Sequence, residues 1–171
     1  MRTIAAAVLA AGLASAAGAS SPQKDLARAH KGEAKRHIWT SDIALEQARI
    51  GLQGLYALVD DTEAFDQTYA SSIVRMVERD VDSAAAHLAK LTLVPAEKSD
   101  ARTNLSKLQM DLAQVQAELK GLKRPVRADQ PLEMKGFHGE VKNAWKALDQ
   151  AWSDFRKVAD DYKVTTRLPT P

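Results

Sequence analysis

Apolar residues recur at spacings of three and four along most of the chain, and no segment alternates apolar and polar residues as a strand does. The first such stretch carries apolar residues at Ala34, Ile38, Leu45, Leu52 and Val59. Three further stretches repeat the pattern. It is typical of amphipathic helices, so the sequence predicts an all-α fold with helices at about 24–59, 63–92, 95–121 and 131–163.

The connections predicted near 60–62 and 93–94 are very short, which favours antiparallel neighbours. In such a bundle the residue number rises along one helix as it falls along the next. That rule aligns the apolar positions of the four helices into five layers without a charged residue. One of these layers contains Leu45, Val81, Leu108 and Ala144. The predicted architecture over residues 20–163 is therefore an antiparallel up-down-up-down four-helix bundle.

The two ends of the chain do not fit this bundle. Residues 1–19 combine a single basic residue, a short apolar run and an Ala-Gly-Ala sequence, which is typical of a cleaved signal peptide. We expect cleavage near Ala19 and a periplasmic or secreted protein. Residues 164–171 hold two prolines and no helical pattern, so a flexible C-terminal tail is expected.

Composition excludes several classes of function. The net charge is +2 over 171 residues, without the strong basic excess typical of nucleic-acid-binding proteins. Absence of cysteine excludes disulfides, thiolate metal sites and covalently attached haem. After the predicted signal peptide no apolar run is long enough to cross a membrane, so stable membrane insertion is not expected. Partners are thus expected to be a protein or a small ligand.

Histidines are the main candidates for metal ligands, because imidazole suits Zn²⁺, Cu²⁺ and Ni²⁺. His37 and His87 fall at nearly equal height on the first two predicted helices. In one handedness of the bundle the two imidazoles meet, with Glu33 one turn away. That handedness would also align three pairs of like charges along the seam between the third and fourth helices, at a cost of some tenths of a kcal/mol each.

The opposite handedness places His37 beside Asp154 and Glu33 beside Lys157. It avoids most of the like-charge pairs, and the electrostatic comparison therefore favours it. The simplest interpretation of His37 is then an ion pair with Asp154. The sharper hypothesis is a divalent metal site formed by Glu33, His37 and Asp154, with His87 a ligand only in the first handedness.

Glycines suggest a second kind of site. Gly51 and Gly54 in the first helix are predicted at the same end of the bundle as Phe137 and His138. Glycine within a helix costs about 1 kcal/mol relative to alanine, and these positions could leave a small ligand cleft between helices one and four. The chain resembles cytochrome c′ in size, predicted export and bundle form only, and lacks its C-x-x-C-H attachment. A haem carried through His138 is the weakest hypothesis.

An outward apolar stripe, Trp39, Ile43 and Ile50, predicts a partner surface or a homodimer contact on the first helix. No phosphate-binding glycine loop, G-x-S-x-G or H-E-x-x-H motif is present in the sequence, so no enzyme is expected. The sequence thus favours a non-enzymatic exported helical bundle that binds a protein or small ligand without a resident cofactor. A periplasmic protein that binds a divalent metal is the alternative.

Overall fold

A computed structural model describes residues 22–61, 65–96, 98–127 and 132–166. Over these ranges the chain forms helices and no strand, in agreement with the all-α prediction. The predicted signal peptide lies outside the described residues. None of the described helices contains an apolar stretch that is long enough to span a bilayer.

Four long helices make up the molecule: α1 (Pro22–Asp60), α2 (Gln67–Lys90), α3 (Ala101–Arg127) and α4 (Met134–Asp161). A 3₁₀ turn, Leu91–Leu93, follows α2. The principal contacts join α1 to α2, α2 to α3, α3 to α4, and α4 back to α1. The four helices are therefore packed against one another as in a four-helix bundle.

Local chemistry explains where the helices differ from the predicted bounds. Helix α2 begins at Gln67 rather than near 63, because the Asp66 carboxylate caps it by accepting a hydrogen bond from the Tyr69 backbone N–H at 2.9 Å. Helix α3 begins at Ala101 and not at Pro95. It continues past Gly121 to Arg127, and the additional turn places Leu122 in the core, fully buried.

All residues of the five predicted layers are buried. One of them is polar: Ser41 is fully buried and its hydroxyl donates to the Ala84 carbonyl at 3.3 Å. The bond satisfies the hydroxyl inside the core, where an unpaired polar group would cost about 1–3 kcal/mol.

The residues at the end of α4 form hydrogen bonds with α1 and with the 3₁₀ turn after α2. The Tyr162 hydroxyl donates to the Leu91 carbonyl at 3.0 Å, and the Trp39 indole N–H donates to the Thr165 carbonyl at 3.0 Å. Val164, between Tyr162 and Thr165 in the sequence, is buried. Residues 164–166, which the sequence places in a flexible tail, thus pack on the bundle, and residues 167–171 lie outside the described part.

Candidate functional site

Two histidines from neighbouring helices meet at the α1–α2 interface. The Nδ1 atoms of His37 and His87 lie 3.1 Å apart, and the ring centroids are separated by 5.4 Å. His37 is 3% exposed, whereas His87 is partly buried. Two imidazole nitrogens at this distance can share a hydrogen bond when one ring carries the proton. They could equally direct both lone pairs at one metal ion.

The surroundings of the pair hold both rings neutral. Burial lowers the pKa of His37 below 6.5, and Arg36, His87 and Lys90 lower it further. Burial, followed by Lys90 and Arg36, lowers the pKa of His87 in the same direction. A neutral imidazole is the form that binds metal, so neither ring has to lose a proton to become a ligand near pH 7.

Glu33 lies on the other edge of the His37 ring. Its carboxylate is 3.9 Å from His37 Nε2, one helical turn away, and its side chain is 47% exposed. Since Nδ1 faces His87, this carboxylate lies on the Nε2 side of the ring, beyond hydrogen-bonding distance at 3.9 Å. A carboxylate behind a ligating histidine fixes the ring's orientation and tautomer.

His37 does not meet Asp154, contrary to the expectation from charge pairing. Asp154 is 1% exposed and lies between Lys107 of α3, at 2.8 Å, and Lys157 of α4, at 2.6 Å. The ligand set Glu33, His37 and Asp154 is therefore not brought together. Within the described residues no group of three or more histidine or acidic side chains is arranged to hold a metal.

The α3–α4 interface does bring two carboxyl groups together. The pair is Asp111 with Asp154, whereas the sequence aligns Asp111 with Glu140. Burial and a hydrogen bond with Asp154 raise the pKa of Asp111, which favours its protonated form. Burial alone would raise the pKa of Asp154, but hydrogen bonds with Asp111, Lys107 and Lys157 hold it well below its usual range. The ammonium groups of Lys107 and Lys157 thus offset part of the carboxylate repulsion.

A second carboxylate group lies further along the α3–α4 seam. Burial raises the pKa of Glu140, and the negative charges of Glu118 and Glu133 raise it further. In the first handedness the sequence aligns Glu118 with Glu133 on this seam, and both of these carboxylates act on Glu140.

The residues predicted to form a cleft between the first and fourth helices lie in different surroundings. Gly51 faces α2, where an added Cβ would stand 2.5 Å from Val77 Cγ2, whereas Gly54 faces open space. Phe137 is buried in the core against Phe65. His138 Nε2 is 3.0 Å from the Asp60 carboxylate, so ligation of haem iron through that nitrogen would have to break this contact.

A groove does lie between α1 and α4, next to these residues. Its volume is about 340 Å³, and its lining consists of Gln53, Tyr56, Lys142, Trp145 and Lys146. Tyr56 and Trp145 are partly buried, while both lysines are exposed. The Tyr56 ring also contacts His138, with centroids 4.9 Å apart. These lining residues are not among those that the sequence predicts for a cleft, although Lys142, Trp145 and Lys146 share one face of α4 by their spacing.

The three residues of the predicted partner surface differ in exposure. Ile43 and Ile50 are 45% and 58% exposed. Trp39 is partly buried, donates to the Thr165 carbonyl, and has the Lys35 ammonium 4.1 Å from its ring centre. An outward surface on α1 therefore consists mainly of the two isoleucines, and a partner role for it stays a prediction.

Comparison with protein families, with characterised proteins and with solved structures finds no match to this chain.

Proposed function

We propose that the protein is an exported, non-enzymatic helical bundle that binds one divalent transition-metal ion between His37 and His87. The 3.1 Å separation of the two Nδ1 atoms carries this proposal. Two nitrogens that each lie about 2.0–2.1 Å from one metal ion stand roughly 3 Å apart. The separation of the two nitrogens therefore already fits one bound ion.

The proposal includes an up-down-up-down course of the four helices. Side-chain contacts support it, because within each helix pair the residue number rises on one helix as it falls on the other. The contacts that follow this rule are His37–His87 and Ser41–Ala84 for α1 with α2, Glu78–Lys123 and Asp82–Gln116 for α2 with α3, and Asn104–Asp161 and Lys107–Asp154 for α3 with α4. Antiparallel pairing also suits the short connection between α1 and α2.

The donor set favours particular metals. Two neutral imidazoles suit Cu²⁺, Ni²⁺ and Zn²⁺, and among these Cu²⁺ binds nitrogen ligands most tightly. Water would complete the coordination. The exposed Glu33 side chain would orient His37 only after its carboxylate moves within hydrogen-bonding distance of Nε2. Arg36 and Lys90 lie close enough to lower the pKa of both rings, and they oppose a dication as well. We therefore expect micromolar rather than nanomolar affinity for Cu²⁺.

The test is calorimetric titration of the metal-free, untagged protein with Cu²⁺, Ni²⁺ and Zn²⁺. We expect one equivalent of Cu²⁺ to bind, with weaker binding of the other two ions. His37→Gln and His87→Gln should each weaken Cu²⁺ binding at least tenfold, since each removes one of the two nitrogens. His30→Gln is the matched control, because His30 also lies on α1 but outside the pair.

Two results would contradict the proposal. One is no heat with any of the three metals in a protein whose helical circular dichroism is intact. The other is binding that survives in both the His37→Gln and His87→Gln variants, since the ion would then be held elsewhere.

A further inference from the structure

The α1–α4 groove differs from the histidine pair in chemistry and location. Its walls are almost wholly apolar and come from the rings of Tyr56 and Trp145 together with the hydrocarbon parts of the lysine side chains. Ligand pockets in proteins are typically apolar, with a few polar groups that fix orientation, and begin at about 300 Å³. The size and lining of the groove fit the lower end of that class.

The charged side chains that line the groove are both cationic. Lys142 and Lys146 are exposed, and no carboxylate within the described residues lies within 4 Å of either ammonium. Beside the groove, the Asp60 carboxylate contacts His138, whose ring packs on Tyr56. No acidic side chain lines the groove itself.

We propose that this groove binds a small aromatic anion, with its ring between Tyr56 and Trp145 and its acidic group against Lys142 and Lys146. The aromatic walls favour a flat apolar body, because stacked or edge-on ring pairs add about 0.5–1.5 kcal/mol beyond the area that they bury. The two ammonium groups favour a carboxylate or sulfonate, since ion-assisted hydrogen bonds are stronger than neutral ones. The proposal does not rest on metal binding.

The probe is 1-naphthoate, followed through the side-chain indole N–H signals of the three tryptophans by nuclear magnetic resonance. We expect the Trp145 signal, assigned with Trp145→Phe, to shift in a saturable way below about 5 mM, the range of weak groove binding. The signals of Trp39 and Trp152 should stay in place. Acetate, which has the charge without the ring, should cause no saturable shift.

The charge requirement is tested with a second ligand and a variant. 1-Naphthalenemethanol has the ring without the charge and should bind at least fivefold more weakly than 1-naphthoate. The double variant Lys142→Gln/Lys146→Gln should remove that preference. Lys135→Gln, an exposed lysine on the same helix, should retain it.

Three outcomes would overturn the proposal. The first is no saturable shift of Trp145 with 1-naphthoate. The second is equal binding of the acid and the alcohol, which would make the groove a site for neutral apolar molecules. The third is unchanged preference for the acid in the double variant. A failed copper titration would leave these results unaffected, so the two proposals can fail separately.

Discussion

Asp111 and Asp154 form a carboxyl pair at the α3–α4 interface. The pKa of Asp111 is raised, and that of Asp154 is lowered. Asp154 is buried with two lysine partners and is held ionised. Asp111 is pushed toward its protonated form, first by burial and then by its hydrogen bond with Asp154. Ionising Asp111 in the folded protein therefore costs free energy that the unfolded chain does not pay.

Asp111→Asn should stabilise the protein at neutral pH. The folded-state pKa of Asp111 is raised, so its favourable contribution is complete below the unfolded value of 3.8 and is lost as pH rises through the folded value. Asparagine keeps a hydrogen-bond donor toward Asp154 at every pH. We expect a gain of about 0.5–1 kcal/mol at pH 7.5 in urea unfolding, which shrinks as pH approaches 4.

Asp149→Asn is the matched control, since Asp149 is exposed on α4 and has no ion pair within the described residues. A gain in the Asp111 variant that did not depend on pH would show that the effect comes from something other than the ionised carboxyl.

At the scale of the element, two glycines three residues apart on α1 face opposite environments. A Cβ at Gly51 would stand 2.5 Å from Val77 Cγ2 and 3.2 Å from Met76 Cε, whereas a Cβ at Gly54 would meet nothing within 4 Å. Gly51 thus lets α1 approach α2 closely. Gly54 has no such role and carries only the entropic cost of glycine in a helix.

Gly51→Ala and Gly54→Ala should therefore change stability in opposite directions. Alanine at 54 should raise the free energy of unfolding by about 0.5–1 kcal/mol through helix propensity. Alanine at 51 gains the same propensity but must displace Val77, which is fully buried, so we expect a net loss of about 1–3 kcal/mol. Thermal unfolding followed by circular dichroism measures both. Equal changes in the two variants would contradict the close approach of the helices.

The helices themselves could be predicted from the sequence, because their apolar residues repeat at helical spacing over many turns. Their ends were less predictable. The sequence predicts the start of α2 near residue 63 rather than after the Asp66 cap, and the end of α3 at Gly121, although that helix continues and buries Leu122. A cap depends on one side-chain bond, and a glycine can lie inside a helix when the next turn gains apolar burial.

At the scale of the whole molecule, the core layers do not predict the handedness of the bundle, which decides the flanks of neighbouring helices that face each other. Both handednesses fill the same core positions, so the choice depends on residues at the edges of the interfaces. Charge pairing favours Asp154 as the neighbour of His37, whereas Lys107 and Lys157 already pair with that carboxylate. The contact of His37 with His87 was foreseen only as the less favoured arrangement.

The contact between His37 and His87 has a consequence for how the chain folds. It joins side chains 50 positions apart, so it can form only once α1 and α2 have paired. On the proposed metal site, a bridging ion would stabilise whichever states on the folding pathway contain that pairing. Its effect on the folding and unfolding rates would then report whether the hairpin precedes or follows the transition state.

We expect the hairpin to come first, since contacts between successive helices require the least loop closure. Zn²⁺ should then raise the refolding rate in stopped-flow measurements and leave the unfolding rate nearly unchanged, and His87→Gln should abolish the effect. Slower unfolding with no change in refolding would place the pairing of α1 and α2 after the barrier. The effect of an ion bound by this histidine pair on the two rates would therefore show when α1 and α2 pair during folding.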